Sequence, residues 1–136
     1  MTAERWALDL PWDAPPVKPN GGHGNVYAHA RKVKDVRKTA GLLARNARIP
    51  RGLDRVRVQL VWYVPDRRRR DVDNLWMTLK ALADGLTADG GKGGEYDWPV
   101  VADDTPEYME KPAPQIVYRK GCRKRLVLFV DRLDIG

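Results

Sequence analysis

The segment Arg55-Val56-Arg57-Val58-Gln59-Leu60-Val61-Trp62-Tyr63-Val64 alternates with a period of two. Val56, Val58, Leu60, Trp62 and Val64 face one way; Arg55, Arg57, Gln59, Val61 and Tyr63 face the other, as in a strand with one buried side. Pro65 ends it, and Pro50 and Gly52 separate it from what precedes. Upstream, Val33, Val36, Ala40, Leu43 and Ala47 recur at spacings of three and four, the stripe of a helix flanked by Lys32, Arg37, Lys38, Arg45 and Arg48. Downstream, a second helix is expected from about Asp73, with Leu75, Leu79, Leu82 and Leu86 inward and Gly85 weakening its last turn.

Farther out, Trp6, Leu8 and Leu10 read as a short strand, broken by Pro11, Pro15, Pro16 and Pro19 and followed by a glycine-rich loop over 20–25. Val100-Val101 suggests a brief strand. Two more are expected over 115–119 and 125–133, joined as a hairpin with Gly121 in the turn. Residues 87–99 are expected to be a flexible loop. Its run Asp89-Gly90-Gly91-Lys92-Gly93-Gly94 lacks the Gly-x-x-x-x-Gly-Lys-Ser/Thr pattern of a phosphate-binding loop. With no internal repeat or composition break, residues 1–136 read as one α+β (mixed α/β) domain in β-α-β-α-β-β order, a mixed sheet packed by two helices.

Twenty-five lysines and arginines oppose 18 acidic residues, a net charge of +7 that attracts polyanions, nucleic acid foremost. Cys122 is the sole cysteine, which excludes an intramolecular disulfide and suits a reducing compartment. No apolar run nears the roughly 20 residues of a membrane helix, and the N-terminus lacks a secretory pattern. A soluble, cytoplasmic protein is expected.

The chemistry concentrates in Arg67-Arg68-Arg69-Arg70-Asp71-Val72-Asp73-Asn74, where four arginines abut two aspartates. In extended chain Asp71 and Asp73 leave on the same side. A second acidic pair, Asp103-Asp104, follows. Carboxylates are hard ligands suited to Mg²⁺ or Mn²⁺, and beside phosphate-binding arginines they are the usual makings of metal-assisted phosphodiester hydrolysis. Ordinary structural roles compete: Asp73 as a helix N-cap, Asp71 paired with an arginine, Asp103-Asp104 in a turn.

Arg69 to Leu75, then Leu79-Lys80-Ala81-Leu82-Ala83-Asp84-Gly85-Leu86, then Val101-Ala102-Asp103-Asp104 together resemble the signature of the RusA-type Holliday-junction resolvases, the crossover junction endodeoxyribonucleases. The resemblance runs from about Trp6 to the C-terminal strands, specific in these three blocks and loose elsewhere. It implies a homodimeric, Mg²⁺-dependent endonuclease for four-way and branched DNA, of phage or prophage type, in a bacterial host's recombination and repair. It places the family's essential aspartates on Asp71, Asp73 and Asp104, with Asp103 the less critical neighbour, and its essential lysine on Lys80. In the best-known members that lysine follows the second aspartate by one helical turn. Here it follows by seven residues, roughly 20° off the same face but about 10.5 Å farther along the axis. An ion pair with Asp84 at i+4 is its plain alternative role.

Arg67, Arg68, Arg69 and Arg70 are the leading phosphate-contact candidates, with Lys32, Lys34, Arg37 and Lys38 a second patch and Arg123, Lys124 and Arg125 a third. Trp62 and Trp76 read as core or interface, Trp12 and Trp98 as weaker stacking platforms. His23 and His29 read as loop and helix-surface residues. A non-catalytic branched- or duplex-DNA-binding protein with structural aspartates is the alternative function. A nuclease preferring flaps, forks or plain duplex is a third reading.

Overall fold

A computed structural model describes residues 4–17, 26–88 and 97–133. The expected loop over 20–25 and the centre of the glycine-rich stretch, 89–96, lie outside the described residues. The order is β1 (Arg5–Asp9), α1 (Val26–Asn46), β2 (Arg55–Val64), α2 (Asp73–Gly85), β3 (Met109–Glu110), β4 (Gln115–Tyr118) and β5 (Arg125–Leu133). This is the α+β class expected, with a mixed five-stranded sheet and two helices.

The long alternating strand is the axis of the sheet. Antiparallel β5 lies along one edge of β2 from Arg55↔Leu133 to Tyr63↔Arg125, and β1 closes that side against β5. On the other edge β3 and β4 pair with β2 in parallel, at Val56↔Met109 and Val61↔Gln115. The hairpin expected between β4 and β5 does not form. The two strands sit on opposite edges of β2, and residues 119–124 cross the end of that strand. Gly121, at φ 74°, supplies the left-handed turn, and Arg119 N–H donates to the Val64 carbonyl at 2.9 Å. In place of the local pairing, β2 takes β5 along one edge and β4, over Val61–Val64, along the other. Val101 makes only a single parallel bridge with Thr87. The two-residue β3 is too short to show a period.

Val56, Val58, Leu60, Trp62 and Val64 enter one core with Leu126, Leu128 and Val130 of β5, Leu8 of β1, Val36, Ala40 and Ala44 of α1, and Leu75, Leu79 and Leu82 of α2. α2 is buried more widely than its leucine stripe, with Thr78, Ala81, Ala83 and Gly85 also inside, because it packs on both α1 and β2. Helix α1 ends with Ile49 N–H on the Ala44 carbonyl and Arg48 N–H on that of Arg45, a Schellman cap in which Arg48 holds φ 60°. Among the described residues no helix covers the opposite sheet face. There Val61 and Val127 are buried beneath Tyr63, Phe129 and the stems of Arg5, Arg57 and Arg125.

The two helices approach most closely at Gly85. A Cβ there would lie 2.4 Å from the Arg37 carbonyl oxygen and 3.0 Å from the Ala40 Cβ. Glycine's helix-propensity penalty, about 1 kcal/mol, is thus the condition for the crossing. Gly85→Ala is expected to lose about 1–3 kcal/mol through overpacking, more than alanine's propensity returns. Thermal unfolding would show it as a fall of several degrees in Tm; an unchanged or higher Tm would show that the crossing is not tight.

Candidate active site and nucleic-acid face

The loop leaving β2 is clamped by its own charges. The Asp66 carboxylate accepts from Arg68 N–H at 3.1 Å and from Arg70 Nη2 at 2.9 Å. Arg70 Nη1 also donates to the carbonyls of Asp66 and Arg68, at 3.0 and 3.1 Å, and its guanidinium lies 5.3 Å from the Trp62 ring centre. The Arg68 amide, then the Arg70 guanidinium, hold the Asp66 carboxyl below its ordinary range. Arg70, with 9% of its side chain exposed, is committed inward as a strut. Arg68 and Arg69 point to solvent. Arg67 is exposed as well and stacks over Tyr118 at 4.7 Å.

Beyond the clamp, Asp71 and Asp73 are both exposed. Asp73 is not the N-cap: that position is Val72, which makes no side-chain cap bond, and Asp73 stands in the first turn. There its charge complements the positive end of the helix dipole. Asp71 Oδ1 accepts the Asp73 N–H at 2.9 Å, satisfying one of the free amides at the helix start.

From Asp73 one face of α2 runs through Met77 and Lys80 to Asp84, at spacings of four, three and four. Beside it lies a cavity of about 300 Å³ lined by Trp76, Met77, Leu79, Lys80, Asp104 and Lys111. Trp76, expected in the core or an interface, is 44% exposed at this wall. Lys111 Nζ stands 3.6 Å from Asp104 Oδ2. Asp103, exposed, accepts the Asp104 N–H at 2.8 Å, as a turn residue would.

Asp84 is the residue that sequence reasoning missed. Its carboxyl hydrogen-bonds that of Asp104, and Arg37 Nη2 lies 3.7 Å away. Two carboxyls in contact cannot both ionise freely. Burial first, then the bond with Asp104, pushes Asp84 up, while that same bond holds Asp104 down. Of the two, Asp84 is therefore the carboxyl that releases its proton at the higher pH. The signal was present in the sequence as an acid on the Asp73–Lys80 face, but it reads there as a simple i, i+4 partner of Lys80.

Lys80 and Asp104 are thus gathered at one cavity, with Asp73 on the same helix face about 10.5 Å nearer the N-terminus. Among the described residues no three of His, Cys, Asp or Glu lie together at metal-binding spacing. The donor chemistry nevertheless fits a hard divalent cation, since every candidate, Asp71, Asp73 and Asp104, is a carboxylate.

The cations of α1 do not form one patch. Lys32 and Arg37 are about 140° apart around the helix, flanking the buried stripe on opposite sides. Arg37 turns to Asp84, whereas Lys34 and Lys38 are exposed. His29 is exposed on the same helix, and His23 lies outside the described residues.

Because the folded state raises the Asp84 pKa, its protonated form favours folding below the unfolded value of about 3.9. That contribution is lost as pH rises through the folded value. Asp84→Asn keeps a donor toward Asp104 and cannot ionise. It is expected to be more stable than wild type at pH 7, the difference shrinking toward zero near pH 4. Paired Tm measurements across that range would check it, and a difference that grows on acidification would refute the proton-sharing pair.

No family model matches the chain. It is 34% identical over 91 residues to the crossover junction endodeoxyribonuclease RusA of Escherichia coli strain K12, an alignment covering 62% of this chain and 69% of that protein. The RusA proteins of E. coli O1:K1 / APEC and of strain UTI89 match with the same identity and coverage. At that identity, and with more than two thirds of those proteins covered, the chain belongs to the RusA family of crossover junction endodeoxyribonucleases.

Proposed function

We propose that the chain is a metal-dependent endonuclease that resolves Holliday junctions and other branched DNA by phosphodiester hydrolysis. The observation that carries this reading is the cavity beside α2, where Lys80, on the helix that begins with the exposed Asp73, and Asp104, from the loop before β3, line one wall. The relatives' name, crossover junction endodeoxyribonuclease, supports the substrate class. No described helix is long and apolar enough to cross a membrane.

Asp71, Asp73 and Asp104 would hold Mg²⁺ or Mn²⁺, which when bound supplies charge neutralisation and an acidified water at the scissile phosphate. The chain's own residues do the rest. Lys80, exposed at the cavity, neutralises and orients a phosphate oxygen. Arg67, Arg68 and Arg69 track the flanking backbone, since phosphate contacts position the duplex without reading sequence. Lys34 and Lys38 add to the general attraction. Arg37 and Arg70 act indirectly, one holding Asp84 and the other the loop before Asp71. A two-fold homodimer would present two such sites to strands of like polarity, which accounts for paired nicks.

Two observations favour the alternative of a non-catalytic DNA-binding protein. Asp71 already serves its own helix start, and no three described acids gather as folded. A cleavage assay separates the two. Labelled four-way junction, matched duplex and flap are incubated with Mg²⁺, Mn²⁺ or EDTA. Wild type is expected to nick the junction symmetrically in Mg²⁺ and not in EDTA. Asp73→Asn and Lys80→Ala are expected to cut about 100-fold more slowly or worse while still binding. Equal cutting of all three substrates would remove the junction preference. Salt-sensitive binding with no cutting in either metal would establish the binding protein instead.

A further inference from the structure

Three connections leave the same end of the sheet. β1 ends at Asp9 beside Val127, β5 starts at Arg125, and β2 ends at Val64. The segment after β1, the loop carrying Asp71, and the turn over 119–124 therefore emerge side by side. Between the first and the last lies a cavity of about 680 Å³, lined by Trp12 and Asp13 from one side, Arg123, Lys124 and Arg125 from the other, and Lys32 of α1. That is within the range of about 300–1,000 Å³ typical of ligand sites.

Its charge is unbalanced. Arg125 Nη2 is engaged by Asp9 at 2.8 Å, but Lys32, Arg123 and Lys124 make no ion pair among the described residues. Three cations from two distant segments of the chain, held around one concavity against the single further carboxylate of Asp13, raise a positive potential there that an anion would relieve. Trp12 lies among them, half-buried, packed on the core and also lining the cavity.

The cavity is also tied to the proposed active site. The Asp13 carbonyl accepts from Trp62 Nε1 at 2.9 Å, and the other side of that indole meets Arg70, the residue before Asp71. Four residues on, Val17 exchanges hydrogen bonds with the buried Thr78 of α2 at 3.3 and 3.4 Å.

We infer that this cavity holds a single-stranded stretch of DNA continuing from the acidic site, one unpaired base stacked on Trp12 and its flanking phosphates on Lys32, Arg123 and Lys124. An indole beside unneutralised cations suits a strand whose bases are free, because in duplex the base faces are occupied by stacking. The inference rests on the nucleic-acid reading above, but not on cutting.

The test measures binding in EDTA, so that absence of cleavage cannot affect it. Fluorescence anisotropy follows an oligothymidylate, a duplex hairpin of equal charge and poly-glutamate against full-length wild type, Trp12→Ala, Trp12→Phe and Lys124→Ala. Trp12→Ala is expected to weaken oligothymidylate binding about fivefold or more and hairpin binding less than about twofold, while Trp12→Phe restores it. Lys124→Ala, at an exposed position, is expected to lower the salt dependence by about 0.7 for the single strand. Oligothymidylate binding within twofold of wild type in Trp12→Ala, or an unchanged salt slope in Lys124→Ala, would overturn the inference. So would poly-glutamate binding as tight as that of the oligonucleotide.

Discussion

Strand β2 is hydrogen-bonded along both edges, to β5 over nine register pairs on one side and to β3 and β4 on the other. A slip of one residue would turn its five inward side chains to solvent and bring Arg55 and Arg57 into the core. With both neighbours fixed, no such slip is open to it. The strand's end therefore becomes a fixed point from which the Asp66–Arg70 clamp, the start of α2 and the turn over 119–124 are all hung. A rigid strand end carrying mobile chemistry on its loops is a common way to position a site.

The second fixed point is the helix crossing at Gly85. It brings the Arg37 backbone against α2, and one residue earlier Asp84 meets the Arg37 side chain and Asp104. A packing requirement and an electrostatic one thus fall on neighbouring residues. The close approach gives Asp84 the partial burial that pushes its carboxyl up. Lys111 on the far side of Asp104 favours the ionised form of that residue. The two carboxyls are consequently shifted in opposite directions although their side chains are identical.

The sheet's central strand and both helices were legible in the sequence because each repeats its period several times. Val56 to Val64 shows the alternation, Val33 to Ala47 the helical stripe, and Leu75 to Leu86 the second one. The partners of β4 were not legible. Gly121 permits a hairpin equally well, and the crossover shows only in the tertiary pairing of both strands with β2. Arg67 to Arg70 look equivalent in the sequence, yet Asp66 and Trp62 draw Arg70 inward. Asp71, Asp73, Lys80 and Asp104 stand out as candidates through short motif blocks. Asp84 needed a neighbour from another loop to stand out, and the joining of Lys32 with Arg123 and Lys124 is wholly a product of tertiary folding.

The division of one sheet edge between β3 and β4 has a bearing on solubility during folding. Between the two short strands run Lys111, Pro112, Ala113 and Pro114, opposite the middle of β2. Neither proline has an amide hydrogen to offer an incoming chain, and the two paired segments have only two and four residues. A stray strand could not dock along that margin in register for long. At the other margin β1 shows the charged Arg5 and Asp9 at its ends. An interrupted, proline-bearing border and a charged one are two known deterrents to edge-to-edge assembly. They let a chain with so apolar a central strand keep its sheet to five strands.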